Sequence, residues 1–252
     1  MMRRRNLLVT FALGLAVITV GGCGKQDSAS KVINVAVTPA SPPNLFQENG
    51  QTKGLDYDLF DGYCKARGCT MNVTAYDFQG MLGAVVSRKA DVAFSGISIT
   101  EPRKKVMDFS KPYMDNSWNL VSMKSRNIKL ASLDTLKQYS IGFPRGAAYM
   151  DFIKTELEPK GIYKTDQAKL YPSYNEALTD LQNGQVDLVF LDGTVASVYR
   201  KKLPVQDSYV FEGIDTLGFA FPKGSALRAD FDKYLDELGP EKKQAIIDKW
   251  MK

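Results

Sequence analysis

The stretch ADVAFSGISITEPR, residues 90–103, sets an apolar run against a polar end. Ala90 to Phe94 has the composition of an inner strand. Ser95, Gly96, Ser98 and Thr100 then offer hydroxyls and backbone N–H groups, and Arg103 follows one turn later. Pro102 suits the first turn of a helix starting after Thr100, where its missing N–H breaks no helical bond. A strand end with small donors, a helix N-terminus and a guanidinium reads as an anion-binding corner. Taken alone, Arg103 is equally well a surface residue paired with Asp108 or Glu101.

The same unit occurs twice. MLGAVVSRKADVAFSG (81–96) parallels ALTDLQNGQVDLVFLD (177–192), each a helix, a turn, an aspartate and an apolar strand. Asp91 matches Asp187, Phe94 matches Phe190, and Gly96 matches Asp192. Two similar α/β lobes account for this repeat. Around it, strand patterns such as VINVAV (32–37) alternate with helix patterns such as LDYDLFDGYCKAR (55–67), where Leu55, Leu59 and Tyr63 share a face. The tail, LRADFDKYLDEL and GPEKKQAIIDKWM, reads as two helices. The alternation predicts an α/β protein with mainly parallel sheets.

Ligands of open α/β sheets sit outside the carboxyl ends of the strands. One lobe presents Ser95, Gly96, Ser98 and Arg103 there, and the other presents Asp192. A guanidinium on one wall and a carboxylate on the other suit a zwitterion. Asp192 read alone is also a helix N-cap, and Phe78, before a helix, is also a core residue.

Composition removes other chemistry. The chain has 252 residues, 44% hydrophobic and 24% charged, and no histidine. Histidine triads, HExxH metal sites and imidazole bases are excluded. Three cysteines are too few for a Cys₄ zinc site, and no GxGxxG, Walker lysine loop or GxSxG elbow is present. No cofactor or metal is expected.

Arg3 to Arg5 and the apolar Leu7 to Val20 form a signal-peptide pattern, and VGGC ending at Cys23 resembles a bacterial lipobox. Residues 1–22 are expected to be a signal peptide, Cys23 lipidated, and 23–30 a tether. An ordinary secretory signal with an incidental cysteine is the alternative. Losing residues 1–22 removes three of 33 basic groups and no acid, leaving 30 against 28, a charge of +2. The basic balance therefore belongs largely to the signal and gives nucleic-acid binding no support. Export implies an oxidising compartment. Cys64 in the last helical turn and Cys69 at the next strand, with Gly68 between, are placed to form a disulfide, the alternative being two buried thiols.

The segments GLDYDLFDGYCK, SGISITEPRKKVMDFSKPY, NGQVDLVFLDGTVA and IIDKWM resemble the solute-binding proteins of family 3, the periplasmic amino-acid receptors of ABC transporters. The likeness runs from about Val32 to Trp250. It implies a two-lobed type II periplasmic-binding-protein fold, each lobe a mainly parallel sheet flanked by helices, with the ligand cleft between them. Lobe I is expected at 31–118 plus 213–252 and lobe II at 119–212, with a hinge near Trp118–Val121 and Glu212–Leu217. The resemblance assigns the ligand carboxylate to Arg103, further contacts to Ser95, Gly96 and Ser98, the ammonium to Asp192, and side-chain stacking to Phe78. The family's G-T-T turn is Gly146, Ala147 and Ala148 here. The acid and aromatic that relatives carry near the first strand are Thr38 and Ser41, followed by Pro42, Pro43 and Asn44.

The expectation is a monomeric lipoprotein at the periplasmic or cell-surface side of a membrane. It would deliver a free amino acid, neutral and polar in side chain given Thr38, to an ABC permease. A basic ligand, a sensor role and a dehydratase-like enzyme are the alternatives. The last needs an acid or base in the cleft, and the sequence offers no carboxylate placed there beyond Asp192.

Overall fold

The computed structural model describes residues 30–252. The expected signal peptide, Cys23 and all of the tether except Ser30 lie outside the described residues.

Among the described residues twelve strands form: β1 (Lys31–Val37), three short ones β2 (Ala40–Ser41), β3 (Leu45–Glu48) and β4 (Gln51–Lys53), then β5 (Cys69–Ala75), β6 (Val92–Ser98), β7 (Met107–Phe109), β8 (Met114–Met123), β9 (Ile141–Pro144), β10 (Ala168–Tyr171), β11 (Leu188–Asp192) and β12 (Val205–Pro222). The helices are α1 (Leu55–Arg67), α2 (Phe78–Val86), α3 (Glu101–Lys104), α4 (Tyr149–Phe152), α5 (Tyr174–Gln182), α6 (Gly193–Lys202) and α7 (Ala226–Met251). The main sheet has the order β10-β9-β11-β8-β12-β6-β1-β5, with β7 paired to β12. β1 runs parallel to β5 and β6, and β9 parallel to β10 and β11. β8 and β12 break the parallel rule. β12 pairs antiparallel with β6, β7 and β8, and β8 pairs antiparallel with β11. These two long strands cross from one lobe to the other.

The core is divided accordingly. One cluster, from Trp118 to Val205, fills lobe II. Lobe I has two, one on each face of its sheet. The first joins Phe60, Tyr63, Phe94, Phe219 and Phe231 under α1 and α7, and the second sits under α2 around Met81, Val85 and Phe109. Covered on both faces, β6 is buried at all seven positions, which explains its unbroken apolar start.

Local endings follow from sequence chemistry. Gly68 ends α1 in the left-handed conformation, and Cys64 and Cys69 are joined by a disulfide with Cα atoms 4.5 Å apart. α7 is broken at Gly239, φ 75°, before Pro240, so the tail is two helices, as its sequence suggests. In lobe II, α4 ends at Phe152 and widens into a π turn, Ile153–Leu157. α3 is a single turn capped by Thr100, too short to supply the helix field expected at the strand end.

Phe60 lies fully buried with the rings of Tyr63, Phe94, Phe219 and Phe231 at 5.2–6.0 Å. Phe60→Ala should cost about 3–5 kcal/mol in a denaturant titration. A loss under about 1 kcal/mol would show that this ring is not central to lobe I.

Candidate functional site

The cleft is built around the end of β6. Ser95 does not face outward. Its hydroxyl accepts the Thr38 N–H at 2.9 Å and donates to the Thr38 carbonyl at 3.1 Å, stapling β6 to the end of β1. Gly96 holds φ +67°, and its N–H donates to Asp56 Oδ2 at 2.7 Å. A Cβ there would stand 2.3 Å from Asn44 Nδ2, so no larger residue fits. The Ser95 hydroxyl and the Gly96 N–H, two groups expected at the ligand, thus brace the platform on which the cleft is built. Ser98 is bonded at both ends. Its carbonyl accepts from Arg103 Nη1 at 2.8 Å, and its hydroxyl donates to Asp215 Oδ2 at 2.9 Å.

Arg103 is only 7% exposed. Its Nη2 donates to the Gly146 carbonyl of lobe II at 3.0 Å, and the guanidinium carbon lies 5.5 Å from the centre of the Phe78 ring. The lobes touch again where Asn44 Nδ2 donates to Thr194 Oγ1 at 2.9 Å. Within the Gly146–Ala148 turn it is Gly146 that reaches the site. Gly146 has φ +82°, and a Cβ there would sit 3.1 Å from Gln79 on α2. Ala148 is buried in the lobe II core at the start of α4.

Asp192 occupies the N-cap position of α6, yet its side chain makes no cap bond. The carboxylate turns into the cleft. Oδ1 accepts from Asn116 Nδ2 and from the Tyr149 hydroxyl, both at 3.0 Å, and Oδ2 accepts from the Tyr174 hydroxyl at 2.8 Å.

A second carboxylate lies beside it. Asp215 is buried, and its Oδ2 accepts from Ser98 Oγ, Asn116 Nδ2 and Trp118 Nε1 at 2.9–3.0 Å. This corrects the expectation that Asp192 is the sole acid there. An acidic residue inside the expected second crossing, two positions after Gly213, was the available signal. Its neighbours could not be read from the sequence, since Asn116 is 99 residues away. Tyr149 and Tyr174 were likewise missed, because each opens a helix and looks like core.

Thr38 is buried, and its hydroxyl donates to the Tyr76 carbonyl at 3.3 Å, turning toward lobe I. With Ser41, Phe78, Ser173 and Tyr174 it lines a crevice too narrow to admit a water molecule. No group of three or more His, Cys, Asp or Glu side chains among the described residues is placed to hold a metal ion.

Residues 33–252 match the family model of bacterial extracellular solute-binding proteins, family 3. The chain belongs to this family. It is a solute-binding protein, not an enzyme. It is 30% identical over 240 residues to the arginine-binding periplasmic protein of Mannheimia haemolytica, covering 91% of this chain and 94% of the relative. It superposes on an ancestral arginine-binding protein bound to arginine, with a TM-score of 0.78 and 32% identity over 87% of this chain and 97% of that one. An ancestral arginine-binding protein bound to glutamine gives 0.77 and 32%, with the same coverage.

In this solute-binding protein the buried charges perturb one another. Burial raises Asp192 to about 7, the nearby Asp215 carboxylate adds to the rise, and the hydrogen bonds from Tyr174, Tyr149 and Asn116 oppose it. Burial also raises Asp56 to about 7 against its bonds from Tyr113 and Gly96, and raises Asp215. Burial lowers Arg103, while Asp215 and Asp192 hold it up.

A carboxyl group raised in the fold stabilises the fold when protonated. That stability is present below about pH 4 and is lost as pH rises through about 7. Asp192→Asn cannot titrate. In the ligand-free protein, unfolding free energies should therefore shift in favour of the variant by about 2 kcal/mol between pH 5.5 and 8. A wild-type-to-variant difference that does not change with pH would show that Asp192 is ionised throughout.

Proposed function

We propose that this protein captures a free α-amino acid outside the cytoplasm and hands it to an ABC permease. The observation that carries the reading is one buried hydrogen-bonded chain, Arg103–Ser98–Asp215–Asn116–Asp192, with a guanidinium at one end and a carboxylate at the other. The ligand carboxylate pairs with Arg103, and the ammonium pairs with Asp192 between the Tyr149 and Tyr174 hydroxyls. Phe78 offers a face to the ligand. An ammonium favours ionised Asp192, so capture strengthens as pH rises through about 7.

Lobe I at 31–118 plus 213–252 and lobe II at 119–212 would close about β8 and β12. The Gly146 carbonyl on Arg103 ties ligand recognition to that closure, because the cation that meets the ligand also bonds the opposite lobe. Lipidation of Cys23 would hold the protein at the membrane.

Two readings of the side chain have support. A neutral polar side chain suits the wall of Thr38, Ser41, Phe78 and Ser173, which carries no acid. It also suits the glutamine seen in a similar ancestral protein. A basic side chain suits the named arginine-binding relatives and the buried excess of carboxylates over guanidinium, and it is the reading adopted here.

Calorimetric titration of arginine, lysine and glutamine tests both levels. Arginine or lysine should bind at least tenfold tighter than glutamine. Arg103→Ala should weaken every amino acid by about 2–5 kcal/mol, because a buried carboxylate loses its partner. Binding within threefold of wild type in that variant would remove Arg103 from the site.

A further inference from the structure

A basic ligand poses a difficulty that the cleft wall does not answer. Burying an unpaired cation is costly, yet the wall at Thr38, Ser41, Phe78 and Ser173 carries no acid. The balancing charge lies deeper. Among the described residues the buried ionisable side chains other than tyrosine are Arg103, Asp56, Asp192, Asp215 and Asp232. Asp232 stands apart, paired with Arg228 at 2.7 Å. A bound zwitterion answers Arg103 and Asp192 and brings no net charge, so Asp56 and Asp215 gain no counter-charge from it.

The two are built differently. Asp56 spends one oxygen on the Gly96 N–H and the other on the Tyr113 hydroxyl, holding together the strand end within lobe I. Asp215 receives all three of its neutral donors on Oδ2. It also sits where β12 departs from regular pairing. The register with β8 shifts between Phe211 and Asp215, and Gly213 takes φ +62°. Such irregularities re-aim a side chain at the expense of ladder bonds. Here the re-aimed group is a carboxylate at the floor of the cleft, one asparagine away from Asp192.

We infer that Asp215 determines specificity: its negative charge selects an amino acid of net charge +1 over a neutral one of the same shape. The inference rests on the zwitterion-clamp reading above. Asp215 acts through its field rather than by contact. At an effective dielectric of about 20, unit charges within about 10 Å of each other shift an equilibrium by more than tenfold. The Ser98, Asn116 and Trp118 donors fix the charge in place without neutralising it. An acid at the wall is then unnecessary, which accounts for Thr38 and Ser41 in a protein whose relatives are named for arginine.

L-Arginine and L-citrulline share a zwitterion and a shape and differ by the charge of the terminal group. Their affinities should be measured calorimetrically for wild type and Asp215→Asn, with thermal unfolding as the check on folding. Wild type should prefer arginine by at least tenfold, about 1.4 kcal/mol. In Asp215→Asn that preference, read as the ratio of the two affinities, should fall at least tenfold, whatever loss the two ligands share. Any disturbance of Arg103 weakens both ligands alike and cancels in the ratio. If Asp215→Asn does not fold, Asp215→Ser is measured in its place, and Asp215→Glu, which keeps the charge, should keep the preference. An unchanged ratio in the neutral variants, or equal loss of both ligands, overturns the inference while leaving the clamp intact. A wild type that binds citrulline as tightly as arginine overturns the inference and the basic-ligand reading together. A wild type that binds no amino acid overturns the clamp as well.

Discussion

A guanidinium that is 93% buried must find acceptors, and Arg103 finds them in two lobes at once. Ser98 supplies a carbonyl from lobe I and Gly146 a carbonyl from lobe II, while the Phe78 ring lies near the cation. Neutral carbonyls satisfy hydrogen bonds without cancelling charge, so the site keeps a cation able to take a carboxylate. Much of the surrounding architecture follows from holding that group. β6 runs buried to its end so that its last carbonyl is available to Arg103. Gly96 leaves room for Asn44, and Asn44 reaches Thr194 in the opposite lobe.

The opposing charges are placed by the crossing strands. Asn116 and Trp118 come from β8, and Asp215 comes from β12, so the floor of the cleft lies on the two strands proposed as the hinge. One amide, Asn116 Nδ2, serves both Asp192 and Asp215. In the proposed closure, movement of lobe II against lobe I acts directly on the groups that carry the negative charge. This explains how recognition and closure can be a single event, with no relay between distant sites.

The α/β alternation, the repeated helix-to-strand unit and the broken tail helix were legible because each depends on local pattern. Arg103 and Asp192 stood out as candidates because Arg103 follows one copy of that unit and Asp192 ends the other. Asp215 and Asn116 were not legible as a pair, since the contact exists only once β8 and β12 lie side by side. Tyr149 and Tyr174 were hidden for a related reason. Their rings belong to the core of lobe II or its edge, and only their hydroxyls serve Asp192. Ser95 and Gly96 illustrate the opposite limit. Their residue types suggested ligand contacts and did not disclose that the Ser95 hydroxyl and the Gly96 N–H hold the strand end to Thr38 and Asp56. Small polar residues at a strand end look alike whether they face a ligand or brace the backbone.

The central claim is that Arg103 and Asp192 grip the two ends of one amino acid. A crystal structure of the protein grown with L-arginine tests it most directly. The account predicts the ligand carboxylate within about 3 Å of the Arg103 guanidinium and the ammonium at the same distance from Asp192. It also predicts that the Gly146 carbonyl still rests on Arg103. A ligand bound with its ends reversed, or seated elsewhere while Arg103 and Asp192 keep only their present partners, would contradict it.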